Sequence, residues 1–121
     1  MNKIGIDLGG TKIEGILVNE NYNTIVRKRI PTNQEKGYSS ILTSIKNLIV
    51  ELSQESDHKT SVGICTPGSL SLDSGLIKNS NTQCLIGKDL QNDLKNLIIE
   101  IQSDILLDSL NFIYSYDTCK C

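Results

Sequence analysis

Residues 3–18, KIGIDLGGTKIEGILV, place a glycine pair between two apolar runs, and few arrangements restrict a fold more tightly. Residues 3–8 and 13–18 read as strands. A Gly-Gly link between such runs predicts an antiparallel hairpin whose turn uses positive φ. Residues 24–30 (TIVRKRI) predict a third strand after the Asn-rich turn at 19–23, and Pro31 ends it. Tyr38, Ile41, Leu42, Ile45, Leu48, Ile49 and Leu52 then fall at helical spacing and predict one amphipathic helix, broken by the polar segment 53–60. SVGICT at 61–66 predicts a short buried strand. Residues 88–97 predict a second helix, with Leu90, Leu94 and Leu97 on one face, and LIIEI at 97–101 predicts the next strand.

An antiparallel hairpin set followed by helix-linked strands implies an α/β fold, a mixed sheet with helices packed on it. At 121 residues the chain is long enough for one domain with a real core, not for two full lobes. A formal net charge of -2 offers no basic field for nucleic acid and no polybasic patch for a membrane. No apolar run approaches the ~20 residues of a membrane-spanning helix. The chain reads straight into a strand that contains Asp7, so no signal peptide is expected and a cytoplasmic location is. The cysteines are Cys65, Cys84, Cys119 and Cys121, unevenly spread, and reduced thiols are the expectation. The terminal CKC lacks a second ligand pair and the sole histidine is His58, so zinc binding is not expected.

The stretch DLGGT has chemistry as well as shape. Glycines let a polyanion approach the backbone, and a turn can aim N–H groups at it. Thr11 adds a hydroxyl and Lys12 a charge. Asp7, at its strand end, is placed to hold a hydrated Mg²⁺ that neutralises phosphate oxygens. No GxxxxGK[ST] occurs, so this is not a Walker loop. Those residues equally suit a plain hairpin turn with a solvated Asp and Thr.

A second stretch, residues 63–87, reads GICTPGSLSLDSGLIKNSNTQCLIG. Together with IGIDLGGTKIEG it resembles the ROK family of sugar kinases and regulators, and within it the fructokinase-like members. The resemblance runs from about residue 3 to about residue 104. It implies a ribonuclease-H-like (actin-like ATPase) N-terminal lobe and an ATP- and Mg²⁺-dependent transfer of the γ-phosphate to a hexose hydroxyl. Asp7, Gly9, Gly10, Thr11 and Lys12 fall on the family's first phosphate motif, with Asp7 the metal ligand. Pro67 and Gly68 fall on a turn whose backbone lies along the sugar, and Asn81 on a sugar-hydroxyl ligand. An amide suits that task because it both donates and accepts. Read without the resemblance, Pro67-Gly68 is a strand-ending turn and Asn81 a solvated loop residue.

The family pattern departs after residue 101. An Asn-Asp pair, whose aspartate takes the proton of the attacking hydroxyl, would follow; this chain has IQSDILLDS, with Asp104 in register and Ser103 in place of the asparagine. Two readings compete. Asp104 is the general base, or residues 102–121 are a divergent tail, and Ser103-Asp104 caps a helix carrying Leu106, Leu107, Leu110 and Ile113. Phe112, Tyr114, Tyr116, Cys119 and Cys121 crowd into that tail, and the composition shift sets a boundary between 1–101 and 102–121. Ile86 and Cys84 are milder departures.

The resemblance also implies a second lobe with another phosphate motif, a Glu–His sugar segment and a cysteine-rich zinc site, none visible in these residues. Phosphoryl transfer needs positioning and water exclusion between closing lobes, so an inactive, truncated kinase lobe is the expectation. A non-catalytic sugar- or nucleotide-binding fragment is the alternative; its bare lobe face could drive homo-oligomerisation. A repressor would carry a helix-turn-helix ahead of the hairpin, whose strand starts at Lys3, so a regulator is not expected.

Overall fold

A computed structural model describes residues 2–57, 60–65, 69–70, 77–78, 86–99 and 105–113. β1 (Asn2–Leu8) and β2 (Lys12–Val18) form the expected antiparallel hairpin, with Leu8 opposite Ile13. β3 (Thr24–Pro31) pairs antiparallel with β2 and forms one edge. Its register slips at Leu17/Val18, next to a turn in which the Asn19 side chain accepts the N–H groups of Asn21 and Asn23. A short 3₁₀ turn (Gln34–Lys36) leads through Gly37, at φ 92°, into α1 (Tyr38–Gln54). β4 (Thr60–Cys65) then pairs parallel with β1. A two-residue ladder joins β5 (Ser69–Leu70) to β6 (Ile77–Lys78). After α2 (Leu90–Ile99), β7 (Ile105–Ile113) pairs parallel with β4 and completes the sheet in the order β3-β2-β1-β4-β7.

One sheet face carries Ile4, Ile6, Leu8, Ile13, Leu17, Val62 and Ile64, all buried. Against it lies the stripe foreseen for α1: Ile41, Leu42, Ile45, Leu48, Ile49 and Leu52. Gly15 lets the helix close on β2, since a Cβ there would stand 2.7 Å from Leu52 Cδ1. Leu90 and Leu94 of α2 complete the core, whose buried apolar members among the described residues are all aliphatic. Asp89 starts α2 by accepting the Asn92 N–H on its carboxylate at 3.3 Å. Tyr38 ties the two helices by donating its hydroxyl to Asp93 at 2.5 Å, with Lys88 over its ring. Burial and the Asp93 carboxylate hold that phenol well above its ordinary range.

Two expectations are corrected. LIIEI is not a strand at residues 97–99: α2 runs to Ile99, because Leu97 prolongs the Leu90–Leu94 face that packs on the core. Nor does a helix carry Leu106, Leu107, Leu110 and Ile113. ILLDSLNFI is β7, since a mostly apolar run fits a strand seated beside β4 as well as it fits a helix, and periodicity alone does not separate the two.

Candidate active site

The glycine turn is built by three connections to the chain that follows β3. Gly9 donates its N–H to the Lys12 carbonyl at 3.0 Å, closing the hairpin. The Gly9 carbonyl accepts the Thr32 hydroxyl at 2.7 Å, the Gly10 carbonyl accepts Gln34 Nε2 at 3.1 Å, and the Thr11 carbonyl accepts the Thr32 N–H at 2.8 Å. Three successive carbonyls are thereby committed to one side. The N–H groups of Gly10 and Thr11 make no hydrogen bond among the described residues. An array of free donors with its acceptors turned away suits an anion.

Neither glycine has positive φ, which corrects the turn expected from the Gly-Gly pair. Glycine is required at position 9 for space instead. A Cβ there would stand 2.8 Å from the Lys12 carbonyl oxygen, the atom that accepts Gly9's own N–H.

Asp7, next to last in β1, lies on the sheet face away from α1, exposed. It stands between Glu14 on β2 and Cys65 on β4. Like charges directly opposite repel, but Glu14 is occupied: Arg27 meets one of its oxygens at 2.6 Å and Arg29 the other at 3.0 Å. These guanidiniums hold the Glu14 carboxyl below its ordinary value, the Arg27 hydrogen bond contributing most. The Asp7 carboxylate makes no hydrogen bond or ion pair among the described residues, which leaves one hard oxygen donor facing outward beside the turn. A lone carboxylate fits Mg²⁺, which keeps several waters and takes its other ligands from phosphates. No cluster of three metal-ligating side chains occurs among the described residues. Thr11 and Lys12 are exposed at the mouth of the turn.

The Glu14 pairing carries a pH prediction. A depressed carboxyl pKa contributes stability above the ordinary value near 4.5 and loses it as pH falls through the folded value. Both arginines are mostly exposed, so Glu14→Gln is expected to cost about 0.5–1 kcal/mol at neutral pH. That difference closes in acid. Urea midpoints of the two proteins that stay equally far apart at pH 3 and pH 7 contradict the pairing.

Pro67, Gly68, Asn81 and Asp104 lie outside the described residues. The strands that lead to them do not. Asp7 and Cys65 are in register, so β4 ends at the same carboxyl edge at which β1 gives way to the glycine turn. Ligands of open α/β sheets bind at such edges. Ile105, by contrast, pairs with Thr60 at the opposite end of β4, about 17 Å of strand away from Cys65. Cys65 itself is disulfide-bonded, contrary to the free thiols expected, and its partner lies outside the described residues. A shallow groove between α1 and α2, lined by Ser39, Leu42, Thr43, Asp93, Asn96 and Leu97, contains none of the motif residues. Sequence reasoning missed Thr32 and Gln34. Pairing of Lys12 with Pro31 sets Thr32 beside Thr11, and the length of the hairpin strands was the available signal.

The fold has relatives among known proteins. The model of the ROK family matches residues 3–108. An N-acetyl-D-glucosamine kinase of Yersinia enterocolitica is 39% identical over 94 residues, which are 78% of this chain and 31% of that protein. A ROK hexokinase of Thermus thermophilus superposes with a TM-score of 0.71 at 21% identity, over 95% of this chain and 35% of the other. A ROK glucokinase of Streptomyces griseus, solved with glucose and AMPPNP, superposes with a TM-score of 0.68 at 16% identity, over 94% and 32%. The chain thus spans about a third of the length of the relatives it matches.

Proposed function

The chain belongs to the ROK family, and from that premise we propose that it is the nucleotide-side lobe of an ATP-dependent hexose kinase. The observation that carries this reading is the glycine turn, with its carbonyls tied back and two backbone donors left free. In this reading Gly9, Gly10, Thr11 and Lys12 hold the terminal phosphates of ATP. Asp7 orients a hydrated Mg²⁺, which supplies charge neutralisation at the phosphate oxygens. Phosphoryl transfer depends mainly on positioning and charge, so a donor array fixed before substrate arrives is a direct contribution to the barrier.

On the sugar side, Pro67, Gly68 and Asn81 are the proposed ligands. Support for them is that β4 ends at Cys65, in register with Asp7, at the same carboxyl edge where β1 gives way to the glycine turn. Asp104 is the proposed general base. Its support is the register of the family pattern alone; its neighbour Ile105 starts β7 opposite Thr60, at the amino end of β4. The substrate class is a hexose. The Yersinia relative's name favours an N-acetylated hexose, while the fructokinase-like resemblance favours fructose, and both belong in the assay.

Mg²⁺-ATP at about ten times its Kd is expected to stabilise the 121-residue chain by roughly 1.4 kcal/mol, read as a rise in Tm. No shift at millimolar ATP overturns the phosphate reading. A coupled assay with N-acetylglucosamine, glucose, mannose and fructose is expected to show no sugar-dependent turnover from these residues alone, since the described residues form one wall of a site that closes between lobes. Turnover abolished by Asp104→Asn would refute that half-site account and establish the base.

A further inference from the structure

We propose that Thr32 and Gln34 are positioning residues of the anion turn, a latch from the β3–α1 connection that sets the direction of its free N–H groups. The inference rests on the phosphate reading for its purpose and on geometry for its existence.

A trans peptide unit is planar, with its C=O and N–H pointing opposite ways. The carbonyl of Gly9 shares a plane with the N–H of Gly10, that of Gly10 with the N–H of Thr11, and that of Thr11 with the N–H of Lys12. Holding the three oxygens therefore aims three N–H groups away from the latch. Thr32 holds two of them, through its hydroxyl at 2.7 Å and its own N–H at 2.8 Å; Gln34 holds the third at 3.1 Å. A glycine pair without side chains has no means of fixing those planes itself. The hydroxyl also has no competing partner in water, because Thr32 is 0% exposed. The latch is itself braced: Asn33 takes a left-handed φ of 51°, and the 3₁₀ turn after it is anchored to α1 through Gly37. The chain's own hydrogen bonds thus order the turn, and such preorganisation is the condition for tight binding by backbone donors.

The test uses the 121-residue chain in ¹H–¹⁵N spectra, without ligand and with Mg²⁺-ATP as probe. In ligand-free protein, Thr32→Val and Gln34→Ala are expected to move the amide resonances of Gly9 to Lys12 and speed their exchange. Thr32→Ser is expected to restore them. Thr43→Val, which removes a helix hydroxyl bonded to the Ser39 carbonyl, is expected to leave them in place. With ATP, Thr32→Val is expected to bind about fivefold more weakly, the effect of one hydrogen bond. Turn amides unmoved by both Thr32→Val and Gln34→Ala overturn the latch whatever ATP does. Wild-type turn amides indifferent to ATP overturn the phosphate reading and the purpose of the latch. Gln34 is exposed, so its variant keeps the test open if the buried Thr32 variant fails to fold.

Discussion

Ile45→Ala is expected to destabilise the chain by about 2–5 kcal/mol, the largest single effect foreseen for this fold. Ile45 is 0% exposed at the middle of α1. It sits in a cluster of aliphatic side chains drawn from both helices and from β1, β2 and β4. Removing three carbons there forfeits their transfer from water and leaves a cavity that rigid strands on one side cannot fill. A domain of this size has a total stability on the order of 5–15 kcal/mol, so the loss is a large part of the whole. Urea unfolding measures it directly, as a lower midpoint at unchanged slope. Ile25→Ala is the control, since Ile25 is 45% exposed on the edge strand and is expected to change stability by less than about 0.5 kcal/mol. Equal midpoints for Ile45→Ala and Ile25→Ala would mean that α1 is not seated on the sheet.

That prediction rests on a helix that sequence alone made visible. Tyr38 to Leu52 repeat at 3.6-residue spacing over four turns, which sets all seven apolar positions on one helix face, six of them buried. The hairpin was legible for a similar reason: Ile4, Ile6 and Leu8 alternate, and so do Ile13, Gly15 and Leu17. What failed was local in a different sense. Leu97, Ile98 and Ile99 form an apolar triplet with no period of their own; Leu97 instead prolongs the Leu90–Leu94 face of a helix that Asp89 caps eight residues before it. Residues 105–113 failed likewise, because leucines at 106, 107 and 110 suit a helix until β4 offers an unpaired edge. The site divides along the same line. Asp7, Gly9, Gly10, Thr11 and Lys12 are contiguous and could be found from chemistry. Thr32 and Gln34 act on the turn from more than twenty residues away, through hydrogen bonds that exist only once β3 lies against β2. Long-range polar contacts leave no period in a sequence, so a motif search sees the donors and misses what aims them.

Gly9→Ala and Gly15→Ala separate the two tasks of this hairpin, and their contrast carries the second large effect. At position 9 the added methyl would lie 2.8 Å from the Lys12 carbonyl oxygen, a backbone atom already accepting the Gly9 N–H. Relief requires opening that hydrogen bond and moving the turn, at a cost of about 2–3 kcal/mol for the clash and the lost bond together. Moving the turn also swings the peptide planes that point the Gly10 and Thr11 N–H groups outward, so ATP affinity is expected to fall more than tenfold, at about 1.4 kcal/mol per decade. At position 15 the methyl meets Leu52 and Leu48 side chains at 2.7–3.0 Å, inside the sheet–helix contact and six residues from Gly9. Overpacking there is expected to cost about 1–3 kcal/mol of stability while the turn keeps its shape. Gly15→Ala should therefore lower the urea midpoint yet bind Mg²⁺-ATP, below its Tm, within about twofold of wild type. Equal losses of affinity in both variants would show that binding follows the stability of the sheet as a whole, and the glycine turn would lose its claim to be where the phosphates rest.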